Sequence, residues 1–249
     1  MEHEFRKRLK SGELLIGTIV SLPTAAASEV LADVGFDWLF IDGEHGPLET
    51  TEVLGILQAV GDKTPCIVRV PVADEVPIKK MLDLGADGVI VPQVNTAEKA
   101  ADVVRFSRYA PAGERGVGLA RAQGYGHRFQ NYIESANDNV AVIVQAEHAQ
   151  AVENIESIVQ VEGIDAVLIG PYDLSASLGK MGQIDDPEVV NAIDHITKTC
   201  QAANIPLGYF GMSASAVRPY MERGHTLIVA GVDVSFLASA AQKTLSELR

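Results

Sequence analysis

The chain has little that would staple it, anchor it or steer it by positive charge. Two cysteines among 249 residues, Cys66 and Cys200, carry no metal-ligand or redox spacing, so both are expected to be buried thiols. No apolar stretch approaches the roughly 20 residues needed to cross a bilayer. The segment from Met1 to Lys10 is charged and helix-prone rather than apolar. No secretory leader is therefore expected, and the cytoplasm is the expected compartment. Basic residues are outnumbered, 20 Lys and Arg against 33 Asp and Glu, and the net charge is -13. That balance repels phosphate backbones and leaves no basic stripe, which excludes nucleic acid as a partner. An anionic ligand must be held by local groups instead. A glycine-rich phosphate turn is also missing. The stretch after the first apolar run reads Ser21-Leu22-Pro23-Thr24, which argues against the open doubly wound sheet. Sequence repeats and low-complexity segments are absent.

What is present is rhythm. Hydrophobic residues make up 47% of the chain. Eight apolar, β-branched runs, at residues 14–21, 38–42, 66–70, 88–94, 140–147, 166–170, 206–211 and 226–232, alternate with helical patterns. Runs such as Val89-Ile90-Val91 and Val142-Ile143-Val144 suit strands covered on both faces, and strict alternation implies parallel pairing. The fold expected is an α/β, single-domain (β/α)8 TIM barrel of eight parallel strands spanning residues 1–249. Gly35, Gly85 and Gly224 read as left-handed stops of the helices before them. One connection, residues 111–139, is too long for a simple turn. It leaves from the end of the barrel opposite the usual catalytic edge, so a role at a neighbouring subunit is the functional expectation.

Chemistry concentrates where strands end. Glu147 follows Gln145-Ala146, and Asp173 ends Gly170-Pro171-Tyr172-Asp173 after the next apolar run. On neighbouring parallel strands both carboxylates leave the same edge, which suits one divalent ion, Mg²⁺ or Mn²⁺, better than a closed zinc cage. The competing explanation is helix N-capping, because Asp173 precedes a possible helical turn from Leu174. His148 is expected on a helix N-terminus rather than on the metal. Asp42-Gly43-Glu44-His45 places on the same rim a histidine able to accept a proton near neutral pH. Arg69 ends another strand with planar donors suited to a carboxylate or an enolate oxygen. Metal, arginine and histidine together are what is needed to make an enolate beside a carboxylate. The Schiff-base route needs a lysine inside the barrel, and none is available: Lys79, Lys80, Lys99 and Lys198 fall on helices, Lys63 in a helix-to-strand connection and Lys180 in a loop near the catalytic edge.

In these residues the chain resembles the HpcH/HpaI family of metal-dependent class II pyruvate aldolases. The likeness runs through Asp42-Gly43-Glu44-His45, Arg69, Leu82-Asp83-Leu84-Gly85, Arg115-Gly116-Val117-Gly118, Gln145-Ala146-Glu147, Gly170-Pro171-Tyr172-Asp173 and Gly231-Val232-Asp233. The resemblance implies reversible cleavage of a 4-hydroxy-2-oxo acid to pyruvate and an aldehyde, with a divalent metal (Mg²⁺ or Mn²⁺, with Co²⁺ as a further candidate) and no organic cofactor. By likeness Glu147 and Asp173 hold the metal and Gln145 contacts the pyruvoyl group. Arg69 meets the enolate, and His45 takes the 4-hydroxyl proton. Backbone N–H groups of Tyr172 and Asp173 are positioned for the substrate carboxylate. Tyr172 and Phe210 shape the aldehyde side, with packing an equal reading for Phe210. Asp83 is the family's partner for the histidine, yet it falls near the end of a helix on the far side of the barrel. The expectation is a homo-oligomer, a hexamer by resemblance, in which Asp83 reaches a neighbour's His45; Asp42 is the alternative partner. Two other functions stay open: an oxaloacetate decarboxylase or enolate-coupling enzyme of the same superfamily, and a non-catalytic barrel binding an acidic ligand.

Overall fold

Strands form where the β-branched runs fall, because side chains on both faces find cover. The computed structural model describes residues 4–249, so Met1 to His3 of the segment read above as no leader lie outside the described residues. The strands are β1 (Leu15–Val20), β2 (Trp38–Asp42), β3 (Cys66–Arg69), β4 (Gly88–Val91), β5 (Ala141–Ala146), β6 (Ala166–Ile169), β7 (Leu207–Gly211) and β8 (Leu227–Val232). They pair in parallel and in chain order into a closed barrel. Every residue of β2 through β6 is buried. Cys66 and Cys200 are free, buried thiols, as expected.

The helices are α1 (Phe5–Lys10), α2 (Ala25–Val34), α3 (Thr50–Val60), α4 (Glu75–Asp83), α5 (Ala97–Ser107), α6 (Phe129–Asn139), α7 (Ala149–Glu153), α8 (Ile155–Ile158), α9 (Pro171–Ser177), α10 (Pro187–Ala202), α11 (Ala214–Glu222) and α12 (Asp233–Glu247). The glycines after α2, α4 and α11 are left-handed, with φ of 99° at Gly35, 92° at Gly85 and 88° at Gly224. No helix of the described residues is long and apolar enough to cross a membrane.

Strand alternation divides the apolar residues into two cores. Trp38, Phe40, Ile67, Ile143 and Leu168 fill the barrel, while Leu39, Ile41, Val68 and Val144 belong to the layer shared with the helices. Phe5 and Leu9 of α1 join the inner core, with the Phe5 and Trp38 rings 5.9 Å apart. Helix α1 thus plugs the end of the barrel where the strands begin, and chemistry is left to the other end.

Two expectations change in detail. Residues 111–139 are not one long loop: a short 3₁₀ turn at Gly124–Gly126 leads into α6. The segment is tied to the foot of the barrel, where Arg121 donates to the carbonyls of Leu84 and Leu57 at 2.9 and 3.0 Å. Strand β4 stops at Val91 rather than Val94, because Gln93 turns to a φ of 54°. Helix α12 stands apart from the others in burying no apolar residue: Asp233 is its one buried residue.

Candidate active site

The rim begins with a cross-strand ion pair. Asp42 and Arg69 are register partners at the ends of β2 and β3. Arg69 Nε donates to Asp42 Oδ1 at 2.9 Å, and Nη2 lies 2.8 Å from Oδ2, a bidentate fork. Asp42 Oδ1 also accepts the N–H groups of Glu44 and His45 at 3.1 and 3.2 Å, which folds the turn after β2. Burial pushes the Asp42 carboxyl up, but Arg69 and these two amides outweigh it and hold it below its ordinary value. The third guanidinium nitrogen, Nη1, lies 3.1 Å from Glu44 Oε2, and the group sits 5.1 Å over the Phe40 ring. Burial raises the Glu44 carboxyl despite the pull of Arg69. The Asp42 carboxylate therefore meets His45 at the His45 backbone N–H, and its other partners are the Glu44 N–H and Arg69.

Glu147, only 2% exposed, follows β5. Its Oε1 accepts the Gln93 N–H at 2.9 Å, which is what the unusual backbone of Gln93 accomplishes, and its Oε2 accepts Gln145 Nε2 at 2.6 Å. Burial pushes the Glu147 carboxyl up to about 7, and the negative charges of Glu44 and Asp173 add to it. Asp173 is the third residue of α9, which starts at Pro171, so it is neither the N-cap nor the residue before the helix; Gly170 is the cap. A Cβ on Gly170 would come within 2.7 Å of Glu147 Oε2, so a side chain here would push the Glu147 carboxylate aside.

These residues fit a hard divalent cation. Gln145 Oε1 is buried without a hydrogen-bond partner, and the neighbouring carboxylates outnumber the one guanidinium. No group of three or more His, Cys, Asp and Glu suited to a metal occurs among the described residues. The donor set is thus two carboxylates with the rest of the shell left to water or substrate oxygens, as magnesium-type ions accept.

His45, Arg69, Gln145, Tyr172, Asp173 and Phe210 line one cavity of about 130 Å³. The His45 side chain is 68% exposed, with Nε2 3.9 Å from Glu44 Oε2. A larger cavity of about 240 Å³ lies at the foot, but its Arg121 is consumed by the two carbonyls named above and it holds none of the rim residues. The smaller cavity is the one with chemistry.

Asp83 is not brought to this rim. It ends α4 at the opposite end of the barrel, 2.7 Å from Arg115, whose guanidinium lies between the rings of Tyr109 and Tyr132 at 4.5 and 5.5 Å. His148 caps α7, accepting the Gln150 N–H at 3.1 Å, and Lys180 lies 3.6 Å from Asp186. Two contributors escape sequence reasoning. Glu44 stood inside a recognised motif without a role, and nothing in the sequence marks Gln93.

Known proteins resemble this chain over nearly its whole length. The family model described as HpcH/HpaI aldolase/citrate lyase matches residues 16–240. A 4-hydroxy-2-oxovalerate aldolase of Rhodococcus jostii (strain RHA1) is 44% identical over 238 residues, 95% of this chain and 92% of the relative. A 4-hydroxy-2-oxo-heptane-1,7-dioate aldolase of Shigella sonnei (strain Ss046) is 41% identical over 245 residues, 97% and 93% of the two chains. The crystal structure of an HpcH/HpaI aldolase/citrate lyase family protein from Burkholderia cenocepacia J2315 superposes with a TM-score of 0.96 at 37% identity, covering 99% of both chains. The chain belongs to the HpcH/HpaI aldolase/citrate lyase family, and is a carbon–carbon lyase rather than a non-catalytic barrel for an acidic ligand.

Proposed function

We propose that this protein is a divalent-metal-dependent aldolase that reversibly cleaves a 4-hydroxy-2-oxo acid to pyruvate and an aldehyde. The observation that carries the reading is Arg69: locked by Asp42, it opens on the same cavity as His45, Gln145 and Asp173, with Glu147 buried alongside. Glu147 and Asp173 would hold the cation, Mg²⁺ or Mn²⁺ with Co²⁺ as a further candidate, whose chemistry when bound is Lewis-acid polarisation of the 2-oxo group.

In the cleavage direction His45 accepts the proton of the 4-hydroxyl, directly or through a water, as the C3–C4 bond breaks. The electron pair of that bond moves into the pyruvate enolate, and the charge on its oxygen faces Arg69. Because Asp42 already fixes the guanidinium, little reorganisation is needed when that charge appears. Gln145 contacts the pyruvoyl group, and the N–H groups of Tyr172 and Asp173 receive its carboxylate.

The homo-oligomer belongs to the same proposal. Asp83 and His45 sit at opposite ends of one barrel, so a shared site, in a hexamer by family resemblance, is the way for Asp83 to serve as the histidine's partner. Exposed Leu237 and Leu248 at the C-terminus and Val30 and Val34 of α2 supply apolar surface for such contacts. The two curated relatives act on acids whose aldehyde halves differ, so likeness alone does not assign the aldehyde.

The test is pyruvate release from 4-hydroxy-2-oxo acids, coupled to lactate dehydrogenase, with and without a chelator. Activity that disappears with chelator and returns with Mn²⁺ or Mg²⁺ is expected. Turnover indifferent to the chelator would overturn the reading.

A further inference from the structure

The His45 ring is not held by contacts of its own. Its side chain is 68% exposed, and the 3.9 Å from Nε2 to Glu44 Oε2 is too long for a hydrogen bond. A base on so free a side chain takes its position from the backbone on either side. On one side Asp42 Oδ1 accepts the N–H groups of Glu44 and His45. On the other is Gly46, where a Cβ would lie 2.5 Å from the Asp42 carbonyl oxygen and 3.4 Å from the carbonyl oxygen of Ser21. The turn that carries His45 is therefore folded tightly and rests on the loop that follows β1.

That loop is in turn held across the seam between β1 and β8. Asp233, the first residue of α12, is 5% exposed. Its Oδ2 accepts the N–H groups of Ser21 and Leu22 at 3.0 and 2.9 Å, and its Oδ1 accepts Ser21 Oγ and the Val234 N–H, both at 2.8 Å. Donors on both oxygens of a buried carboxylate leave it little freedom. The end of β8 is shaped to bring it there. Gly231 has a φ of 74°, a Cβ on it would meet the Phe236 ring at 2.5 Å, and the register of β1 on β8 shifts between Gly17 and Ile19. An irregularity of this kind re-aims a side chain. Asp233 does not line the rim cavity, so whatever it does for the reaction passes through the loop after β1.

We propose that Asp233 is a positioning residue for the proton-accepting histidine: by holding Ser21 and Leu22 it fixes the loop on which the His45 turn rests, and so sets where the imidazole stands relative to the 4-hydroxyl. The inference rests on the aldolase reading and adds to it a residue remote from the reacting atoms. A misplacement of about 1 Å costs about a hundredfold in rate. Binding of the 2-oxo acid half draws on Glu147, Asp173, Gln145 and Arg69 instead, and is expected to survive.

The experiment compares the Mn²⁺-loaded full-length protein with Asp233→Asn, Ser21→Ala and Thr18→Val. Asn keeps the shape of Asp233 but turns an NH₂ group toward donors, and Ser21→Ala removes the Ser21 hydroxyl alone. Thr18→Val is the control: Thr18 Oγ1 donates to the Gly231 carbonyl at 3.1 Å across the same seam, without touching the loop after β1. Calorimetric titration with oxalate, a planar mimic of the pyruvate enolate, counts competent sites, and kcat for aldol cleavage is expressed per oxalate site. A purely structural role lowers the number of sites and leaves kcat per site alone. A positioning role does the opposite. In Asp233→Asn, kcat per site is expected to fall about tenfold to a hundredfold with the oxalate Kd unchanged. Ser21→Ala falls severalfold, and Thr18→Val stays near the parent. Parent-like kcat per site in both Asp233→Asn and Ser21→Ala, or an equal fall in Thr18→Val, overturns the proposal and leaves the aldolase reading standing. Should Asp233→Asn not fold, Ser21→Ala decides by the same measurement. A parent that binds oxalate yet cleaves no 4-hydroxy-2-oxo acid removes both.

Discussion

Two arginine–carboxylate clusters sit at opposite ends of the barrel, and they are finished to different degrees. At the foot, Asp165 takes both oxygens to Arg6 Nε at 2.8 and 2.9 Å, accepts Arg108 Nη2 at 3.1 Å and receives the Val142 N–H at 2.9 Å. Arg108 gives its other nitrogen to the Val140 carbonyl at 2.6 Å, and Arg6 reaches the carbonyls of Asn137 and Asp138. Burial pushes the Arg108 guanidinium down to about 10, with Asp165 pulling it back. At the rim, Asp42 and Arg69 are equally well matched, but Gln145 Oε1 is orphaned and Glu147 lies in excess negative charge. A buried polar cluster that closes on itself ties chain segments together. One that stays open is waiting for a ligand.

Exchanging the two roles should fail, and the largest effect is expected at the open end. Glu147→Gln keeps the shape and removes a metal carboxylate, so aldol cleavage should fall on the order of a thousandfold, about 4 kcal/mol. The urea midpoint should hold or rise, because an uncompensated buried charge is lost; retained activity would break the comparison. Asp165→Ala should do the reverse. Stranding Arg6 and Arg108 costs about 3–5 kcal/mol of stability in urea denaturation, while turnover per folded molecule stays near that of the parent. A parent-like midpoint would show that the foot cluster does not carry stability. Arg69→Lys sharpens the contrast, since an ammonium cannot reproduce the fork to Asp42. Turnover should drop about a hundredfold with a smaller change in KM, as read by steady-state kinetics.

The most gradual effect, spread over more than two pH units, concerns pH and again belongs to the foot. His225, just before β8, is 1% exposed, and burial pushes it down to about 4. An unfolded chain binds that proton near pH 6.5. The stabilisation is therefore complete above about 6.5 and is lost as pH falls toward 4, at up to about 1.4 kcal/mol per pH unit. His225→Gln should flatten that slope in denaturation curves between those pH values, and an unchanged slope would assign it to other groups.

Strands were legible because burial on both faces leaves an unbroken apolar run: the run at 38–42 is β2 to the residue, and 66–70 overshoots β3 by one. Arg69, Glu147 and Asp173 were legible for the opposite reason, as charges where such runs stop. What escaped were features made by the tertiary fold. Phe129–Asn139 is a helix of mostly polar residues with Asn at its end, anchored where the Asn137 side chain receives the Tyr109 N–H and donates to its carbonyl, contacts that no local pattern announces. Gln93 matters through a backbone turned by Glu147, 54 residues away. Glu44 becomes a partner of Arg69 only when β2 and β3 lie side by side.

Gly170 carries a consequence of another kind. A Cβ there would lie 2.7 Å from Glu147 Oε2 and 3.0 Å from the Glu147 Cβ, so the glycine sets where that carboxylate can stand. A side chain at this position would leave both carboxylates in the sequence and still displace one of them.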